Sequence, residues 1–331
     1  MSGVLRAGLI GLGAMGRNHA RVLDSLPGVE LVAGVDPLDA PHHASMRIEV
    51  LRSVRELIDR GVDLCVVATP TCTHEAIGLE LAEAGIATLI EKPLAHDAKA
   101  AQTIVEAFAR NDVLGCVGHI ERFNPALQDM RRRLALGELG DLYQVVTRRQ
   151  GPFPARIADA GVVLDLATHD IDLTAWVTDS AYRSVSARVA HRSGRAHEDL
   201  VSAVGVLSNG VVVTHLVNWL SPLKERVTTV TGELGCFVAD TLTADLTYYQ
   251  NGSQPTQWET VARFRGVSEG HMTRYAIPKP EPLLTELTNF AAAVRGEAAE
   301  VVTLREGLTT VRVAEALRES AGTGETVEVL A

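Results

Sequence analysis

A chain of 331 residues with 46% hydrophobic side chains has the length for two domains and enough apolar content for a full core. Its net charge of -10 disfavours a nucleic-acid partner, because binding a polyphosphate generally calls for a basic face; Arg131 to Arg133 is only one turn of a helix. No apolar stretch is long enough to span a bilayer, and the opening Met-Ser-Gly-Val-Leu-Arg lacks the pattern of a secretory signal, so no membrane partner is expected.

The first 120 or so residues read as a βαβ series. Strands are predicted at Leu5–Ile10, Leu31–Val35, Leu64–Ala68, Ala87–Ile90 and Val113–Val117, and their near-continuous hydrophobicity predicts a parallel sheet covered on both faces. Helical spacing falls between them at Asn18–Leu26, Ser53–Asp59, His74–Ala84 and Ala98–Arg110, with Gly61 and Gly85 punctuating two of the helix ends. This is a doubly wound α/β half, with a domain expected over residues 1–122. From 123 to 331 the character changes. A helix (Ala126–Leu136), a strand (Leu142–Arg149), a Gly-Pro-Phe-Pro loop and a helix from about Val163 to Val177 lead into strands Val185–Ala190, Val201–Leu207, Val211–Leu220, Val227–Thr231 and Leu246–Tyr249. Turn signals such as Asn209-Gly210 join these strands, predicting an α+β domain on an open, mostly antiparallel sheet. Helices at Leu283–Val294 and Arg305–Glu319 follow, the last residues being free to return to the first domain.

Four cysteines stand apart, with no Cys-x-x-Cys pair and no histidine cluster at zinc-ligand spacing. That usage predicts a reduced, cytoplasmic setting and no metal. Cys65 and Cys116 sit in apolar runs and read as small core residues, whereas Cys72 lies beside a loop of interest.

Gly11, Leu12, Gly13, Ala14, Met15 and Gly16 follow the first strand and open the first helix. Gly11 permits a tight turn, Gly13 lets backbone approach a pyrophosphate, and Gly16 lets helix and strand close up, while the helix N-terminus offers free N–H groups. Asp36 ends the second strand twenty residues after Gly16, where a carboxylate hydrogen-bonds the adenosine ribose. That carboxylate repels a 2′-phosphate and the following Pro-Leu-Asp-Ala-Pro supplies no cation, so NAD is expected over NADP, with His42, His43 and Arg47 left as groups a fold could bring near.

Glu91-Lys92-Pro93-Leu94 ends the fifth strand at the carboxyl edge, where ligands of open α/β sheets bind. Desolvation there suits Lys92 to proton transfer or to a substrate oxygen; the competing reading is a snorkelling surface lysine. Asp165 and His169 stand at i and i+4 on a helix, so the carboxylate can orient the imidazole, or the two are an N-terminal acid and an unrelated interior histidine. Asp170 and Asp172 read as solvated or interdomain residues.

The Gly11–Gly16 loop, Ala68-Thr69-Pro70-Thr71 with His74, Glu91-Lys92-Pro93-Leu94 and Asp165-x-x-x-His169 together resemble the glucose-fructose oxidoreductase, inositol dehydrogenase and rhizopine catabolism (Gfo/Idh/MocA) superfamily, over nearly the whole chain. The resemblance implies Lys92, Asp165 and His169 as catalytic residues, Thr69, Pro70, Thr71 and His74 beside the nicotinamide, Glu91 on its ribose, and a homodimer or homotetramer formed on the open sheet. Gly118-His-Ile-Glu-Arg-Phe-Asn-Pro125, Arg149-Gln-Gly-Pro-Phe-Pro-Ala-Arg156 and Val163–Asp172 resemble its UDP-N-acetylglucosamine 3-dehydrogenase branch. That implies His119, Glu121, Arg122, Asn124, Arg148, Arg149 and Arg156 as substrate-binding, the arginines meeting a pyrophosphate or being ordinary exposed side chains. The implied reaction is oxidation at C3 of a UDP-N-acetylhexosamine. The alternatives are an inositol or polyol dehydrogenase, an NDP-3-ketosugar reductase, and a sensor that keeps the cofactor site without chemistry.

Overall fold

Apolar strands that need cover on both faces find it in a computed structural model that describes residues 3–38, 40, 43, 46, 48–153, 160–252 and 269–329. The chain divides into two units, 3–120 with 281–315, and 121–280 with 316–329, among these residues. In the first, β1 (Leu5–Ile10), β2 (Val29–Val35), β3 (Glu49–Leu51), β4 (Leu64–Val67), β5 (Ala87–Glu91) and β6 (Gly115–Gly118) form one parallel sheet in the order β3-β2-β1-β4-β5-β6. The order reverses between β1 and β4, and the carboxyl ends of strands at such a switch point form a ligand crevice. Helices α1 (Ala14–Ser25), α2 (Val54–Asp59), α3 (His74–Glu83) and α4 (Ala98–Arg110) connect them. Ser53 and Asp97 start α2 and α4 by accepting from the amides of Glu56 and Ala100.

The second unit holds α5 (Pro125–Ala135), a π-helical turn (Val163–Ala167) running into α6 (Thr168–Thr178), and a nine-stranded mixed sheet. Its strands are β7 (Leu142–Pro152), β8 (Tyr182–Ala190), β9 (Leu200–Leu207), β10 (Val212–Asn218), β11 (Leu220–Gly232), β12 (Gly235–Asp240), β13 (Asp245–Asn251), β14 (Glu269–Arg274) and β15 (Val327–Glu328). The order is β14-β13-β12-β11-β7-β10-β9-β8-β15, every pairing antiparallel except β7 with β10. Val145, Thr147 and Arg149 alternate onto the buried face of β7, while Val204 and Val212 remain exposed on the opposite face of β9 and β10.

Two helices, α7 (Pro282–Val294) and α8 (Leu304–Thr323), lie between β14 and β15. Beside the division near residue 122, residues 281–315 group with the first unit. The cause is apolar: Leu283, Leu287, Phe290 and Ala291 of α7 join Leu9, Leu12, Leu23, Leu64 and Leu89 in one core. The strands β3, β12, β14 and β15 escape the sequence pattern.

Candidate active site

The glycine loop has the geometry that its spacing predicts. Gly11 adopts φ +90, where an added Cβ would stand 2.6 Å from the Ala68 carbonyl oxygen, and a Cβ on Gly16 would meet the Gly11 oxygen at 1.9 Å. A Cβ on Gly13, by contrast, would project into open space. Helix α1 begins immediately after it with no acidic residue in its first turn, so the N-terminal amides and the positive end of the dipole remain available to an anion. Asp36 is fixed by two backbone amides, Leu12 N–H to Oδ2 at 3.1 Å and Leu38 N–H to Oδ1 at 2.9 Å. His43 is brought to 3.6 Å from Asp36 Oδ2 and Arg52 Nη1 lies 3.5 Å from the Asp36 carbonyl oxygen, while His42 and Arg47 fall outside the described residues.

Two further turns meet at His74. Its Nε2 lies 3.0 Å from the Thr69 carbonyl and its Nδ1 3.1 Å from that of Pro93, so one buried imidazole braces the Thr69-Pro70 turn against the Lys92-Pro93 turn. Burial lowers its pKa, against the pull of the three carbonyls it faces and of the Glu91 charge. Thr71 lies in the short 3-10 turn that precedes α3. Glu91 is itself buried, which pushes its pKa up, yet the hydrogen bond with His19 and the charge and amide of Lys92 carry it below the usual carboxylate range. Its Oε1 lies 2.7 Å from His19 Nε2 and its Oε2 accepts the Lys92 amide at 3.1 Å. Gly118 pairs with Glu91 across β5 and β6, and a Cβ there would approach the Glu91 carboxyl carbon to 3.3 Å. The Lys92 side chain is half-buried, and His119 follows β6 fully enclosed. Burial pushes the Cys65 and Cys116 thiols up to about 12, as core residues, whereas Cys72 is exposed.

In the second unit, Glu198 holds the start of the π-turn by accepting the Val163 amide at 3.1 Å, and the Asp165 amide donates to the Gly161 carbonyl. Asp165 is buried and His169 half-buried one turn later, a wide turn of the kind common at functional sites. Their immediate surroundings correct one expectation. Asp170 and Asp172 are each 2% exposed rather than solvated, because arginines from other elements need them. Arg149 of β7 donates from Nε to Asp170 at 3.1 Å and from Nη1 to Glu121 at 2.8 Å, and Arg122 makes a two-pronged pair with Asp172 at 2.8 and 2.6 Å. Burial raises Asp170 to about 6 against the charge of Arg149; in Glu121 that same burial is outweighed by Arg149, and its pKa is lowered. Arg226 extends the cluster, and the charge of Asp165 acts on it.

The residues expected to bind substrate therefore separate. Arg122 and Arg149 are engaged with this chain's own carboxylates, and Asn124 caps α5, accepting from Ala126 N–H and donating to the Thr241 carbonyl. Arg148 is half exposed beside Glu225 at 2.9 Å, and Arg156 falls outside the described residues. The sequence reading missed His19 and Glu286. The signal was present for both, a histidine one turn before the apolar Val22 and Leu23 of α1, and a glutamate in the Leu283/Leu287/Phe290 stripe of α7. Among the described residues no group of three or more His, Cys, Asp or Glu is placed to hold a metal, and no helix is long and apolar enough to cross a membrane.

An unobstructed Gly13, uncapped amides at α1 and a fixed carboxylate at the end of β2 fit a dinucleotide, and they define the first unit as a nucleotide-binding Rossmann domain. Residues 5–119 match the family described as oxidoreductase, NAD-binding Rossmann fold, and residues 127–238 match its GFO/IDH/MocA C-terminal domain. The chain belongs to this Gfo/Idh/MocA oxidoreductase family, and its cofactor is NAD. It is 32% identical over 192 residues to scyllo-inositol 2-dehydrogenase (NAD(+)) of Bacillus subtilis, covering 55% of this chain and 56% of that protein. It is also 32% identical over 213 residues to UDP-N-acetylglucosamine 3-dehydrogenase of Acidithiobacillus ferrooxidans, covering 63% and 65%. These alignments span less than two thirds of either relative's length. A solved structure of the Acidithiobacillus enzyme superposes over 96% of this chain and 98% of its own, with a TM-score of 0.83 and 25% identity.

Proposed function

We propose that the chain is an NAD-dependent oxidoreductase of a secondary sugar hydroxyl, and that its substrate is a UDP-N-acetylhexosamine oxidised at C3. The observation that carries this reading is the near full-length likeness to the Acidithiobacillus UDP-N-acetylglucosamine 3-dehydrogenase in a chain that has Lys92, Asp165 and His169 at the motif positions. Gly11 to Gly16 and Asp36 hold the pyrophosphate and adenosine ribose, and Thr69, Pro70, Thr71, His74, Glu91 and Lys92 border the nicotinamide half. NAD, when bound, accepts the hydride from the carbinol carbon. In this reading two side chains act on the hydroxyl and a third orients one of them. His169, oriented by Asp165, takes its proton, and the Lys92 ammonium donates a hydrogen bond to the oxygen as it becomes a carbonyl. The assembly is a homodimer or homotetramer through the outward sheet face bearing Val204 and Val212.

A second reading, an inositol or polyol dehydrogenase, is favoured by the Bacillus relative and by the engagement of Arg122 and Arg149 in ion pairs, which leaves fewer cations for a pyrophosphate. A substrate panel decides between them. NADH formation is followed with UDP-N-acetylglucosamine, other nucleotide sugars, free hexoses and inositols, with a carbonyl trap to draw the reaction forward. Turnover confined to the UDP-linked sugar, and lowered in Lys92→Ala by about two to four orders of magnitude with NADH still bound, supports the proposal. Turnover of free polyols replaces the substrate. Silence across the panel in a protein that binds NADH points to the reductase direction or to a sensor.

A further inference from the structure

Helix α7 carries a carboxyl where an apolar side chain belongs. Glu286 is 3% exposed, lies between Leu283 and Leu287 on the core face, and neither carboxyl oxygen has a hydrogen-bond partner. An ionised carboxylate so enclosed is costly, so the group keeps its proton; burial, then the charge of Glu91, raises its pKa well above the ordinary value. A protonated carboxyl is a donor. A complementary acceptor belongs to the same unit. His19, fully buried on α1, spends Nε2 on the Glu91 carboxylate at 2.7 Å, which leaves Nδ1 as the lone-pair nitrogen, and Nδ1 is buried without a partner. Helix α1 packs on α7, and the Arg21–Glu281 ion pair ties the two helices close to both residues.

We propose that Glu286 is a positioning residue for the Lys92 turn, acting through an internal water that accepts from its hydroxyl and donates to His19 Nδ1, so that Glu286, water, His19 and Glu91 form one buried chain ending on the Lys92 amide. Two carboxyl oxygens and a ring nitrogen in an apolar enclosure are the two to four polar partners that an internal water requires. The chain fixes the tautomer of His19, and that tautomer fixes the Glu91 carboxylate that holds the Lys92 backbone. The other titratable groups facing it are Cys116 of β6, whose thiol is held protonated chiefly by burial, and Lys92 itself. The role of Lys92 rests on the proposed function; the water and the tautomer do not.

The test uses the full-length chain with Glu286→Gln and Glu286→Met. An amide donor preserves the chain and a thioether breaks it, so Gln keeps kcat near the parent's and Met lowers it about tenfold to a hundredfold, with KM for NAD little changed and a folded melt in both. Histidine ring nitrogen NMR, with His19 assigned through His19→Gln, then shows a fixed Nε2–H tautomer in the parent and Gln proteins and tautomer exchange in Met. A high-resolution crystal structure places a water between Glu286 and His19 Nδ1. An unaltered His19 signal in Met, or a crystal structure with no such water, overturns the chain. If the parent turns over no sugar, the proposed function falls while NMR and crystallography still decide the chain. If kcat in Met matches the parent while the tautomer is lost, the positioning role falls.

Discussion

His215 shows how strongly one side chain can couple this fold to pH. It is buried on β10 with Nδ1 2.7 Å from the Thr147 hydroxyl and Nε2 2.8 Å from the Tyr182 hydroxyl, and burial pulls its pKa to about 4. A lowered folded value means that the unfolded chain binds the proton first as pH falls. The contribution is therefore present above about 6.5 and lost on descending through about 4, amounting to about 3 kcal/mol. Asp170 has the opposite sign: raised to about 6, it contributes stability below the ordinary aspartate range that is lost as pH rises through 6, partly offsetting His215 between pH 4 and 6. Urea unfolding of the parent and of His215→Gln from pH 7 to 4 separates them. The parent is expected to lose more stability than the variant, by up to about 1.4 kcal/mol per pH unit, and parallel curves would remove His215 as the cause.

Strand β7 and helix α6 are joined by charge, through Arg149 and Asp170. Replacing Arg149 with Met leaves Asp170 and Glu121 buried without their shared cation, at an expected loss of about 3–5 kcal/mol in chemical unfolding, part of which Asp170→Asn in the same chain restores. This latch was not legible in the sequence. Arg149 reads there as a pyrophosphate ligand or an exposed side chain, and its inward alternation with Val145 and Thr147 and its pairing with Asp170 and Glu121, 21 and 28 residues away, need the folded register. Elements with strong periodicity, β1, β4, β5 and the helices between them, were readable because each buries a continuous face. β3 is a three-residue strand at the sheet edge, and Gly235-Cys-Phe-Val-Ala-Asp is a short run that opens on a glycine and closes on an aspartate, residues that read as turn. The glycine loop and Asp36 were legible because backbone geometry, set by glycines, dictates them. Glu286 left its signal as an acid in an apolar helix stripe, which gains its meaning once the stripe is known to be enclosed.

Neither stretch of the first unit completes its core alone. Leu283, Leu287 and Phe290 are each almost fully buried there, and at about 2 kcal/mol apiece their removal costs about 6 kcal/mol, comparable with the stability of a whole domain. A fragment of residues 1–122 is therefore expected to aggregate or to bind no NAD, and the same fragment joined by a flexible linker to residues 281–315 to recover the binding. Near-ultraviolet circular dichroism and NAD titration check both. A well-folded, NAD-binding 1–122 fragment would show that α7 is dispensable.

The return of α7 also sets the order of events during synthesis. The 160 residues from 121 to 280 separate the two parts of the first unit, so a ribosome adding about 5–20 residues per second makes the nucleotide-binding strands roughly 8 to 30 s before the helix that closes them. Through that interval Leu9, Leu23 and Leu64 wait with part of their cover unmade. The second unit has most of its sheet translated by then, its own last stretch, 316–329, following α7, and the nascent chain spends that interval with an apolar face open to chaperones.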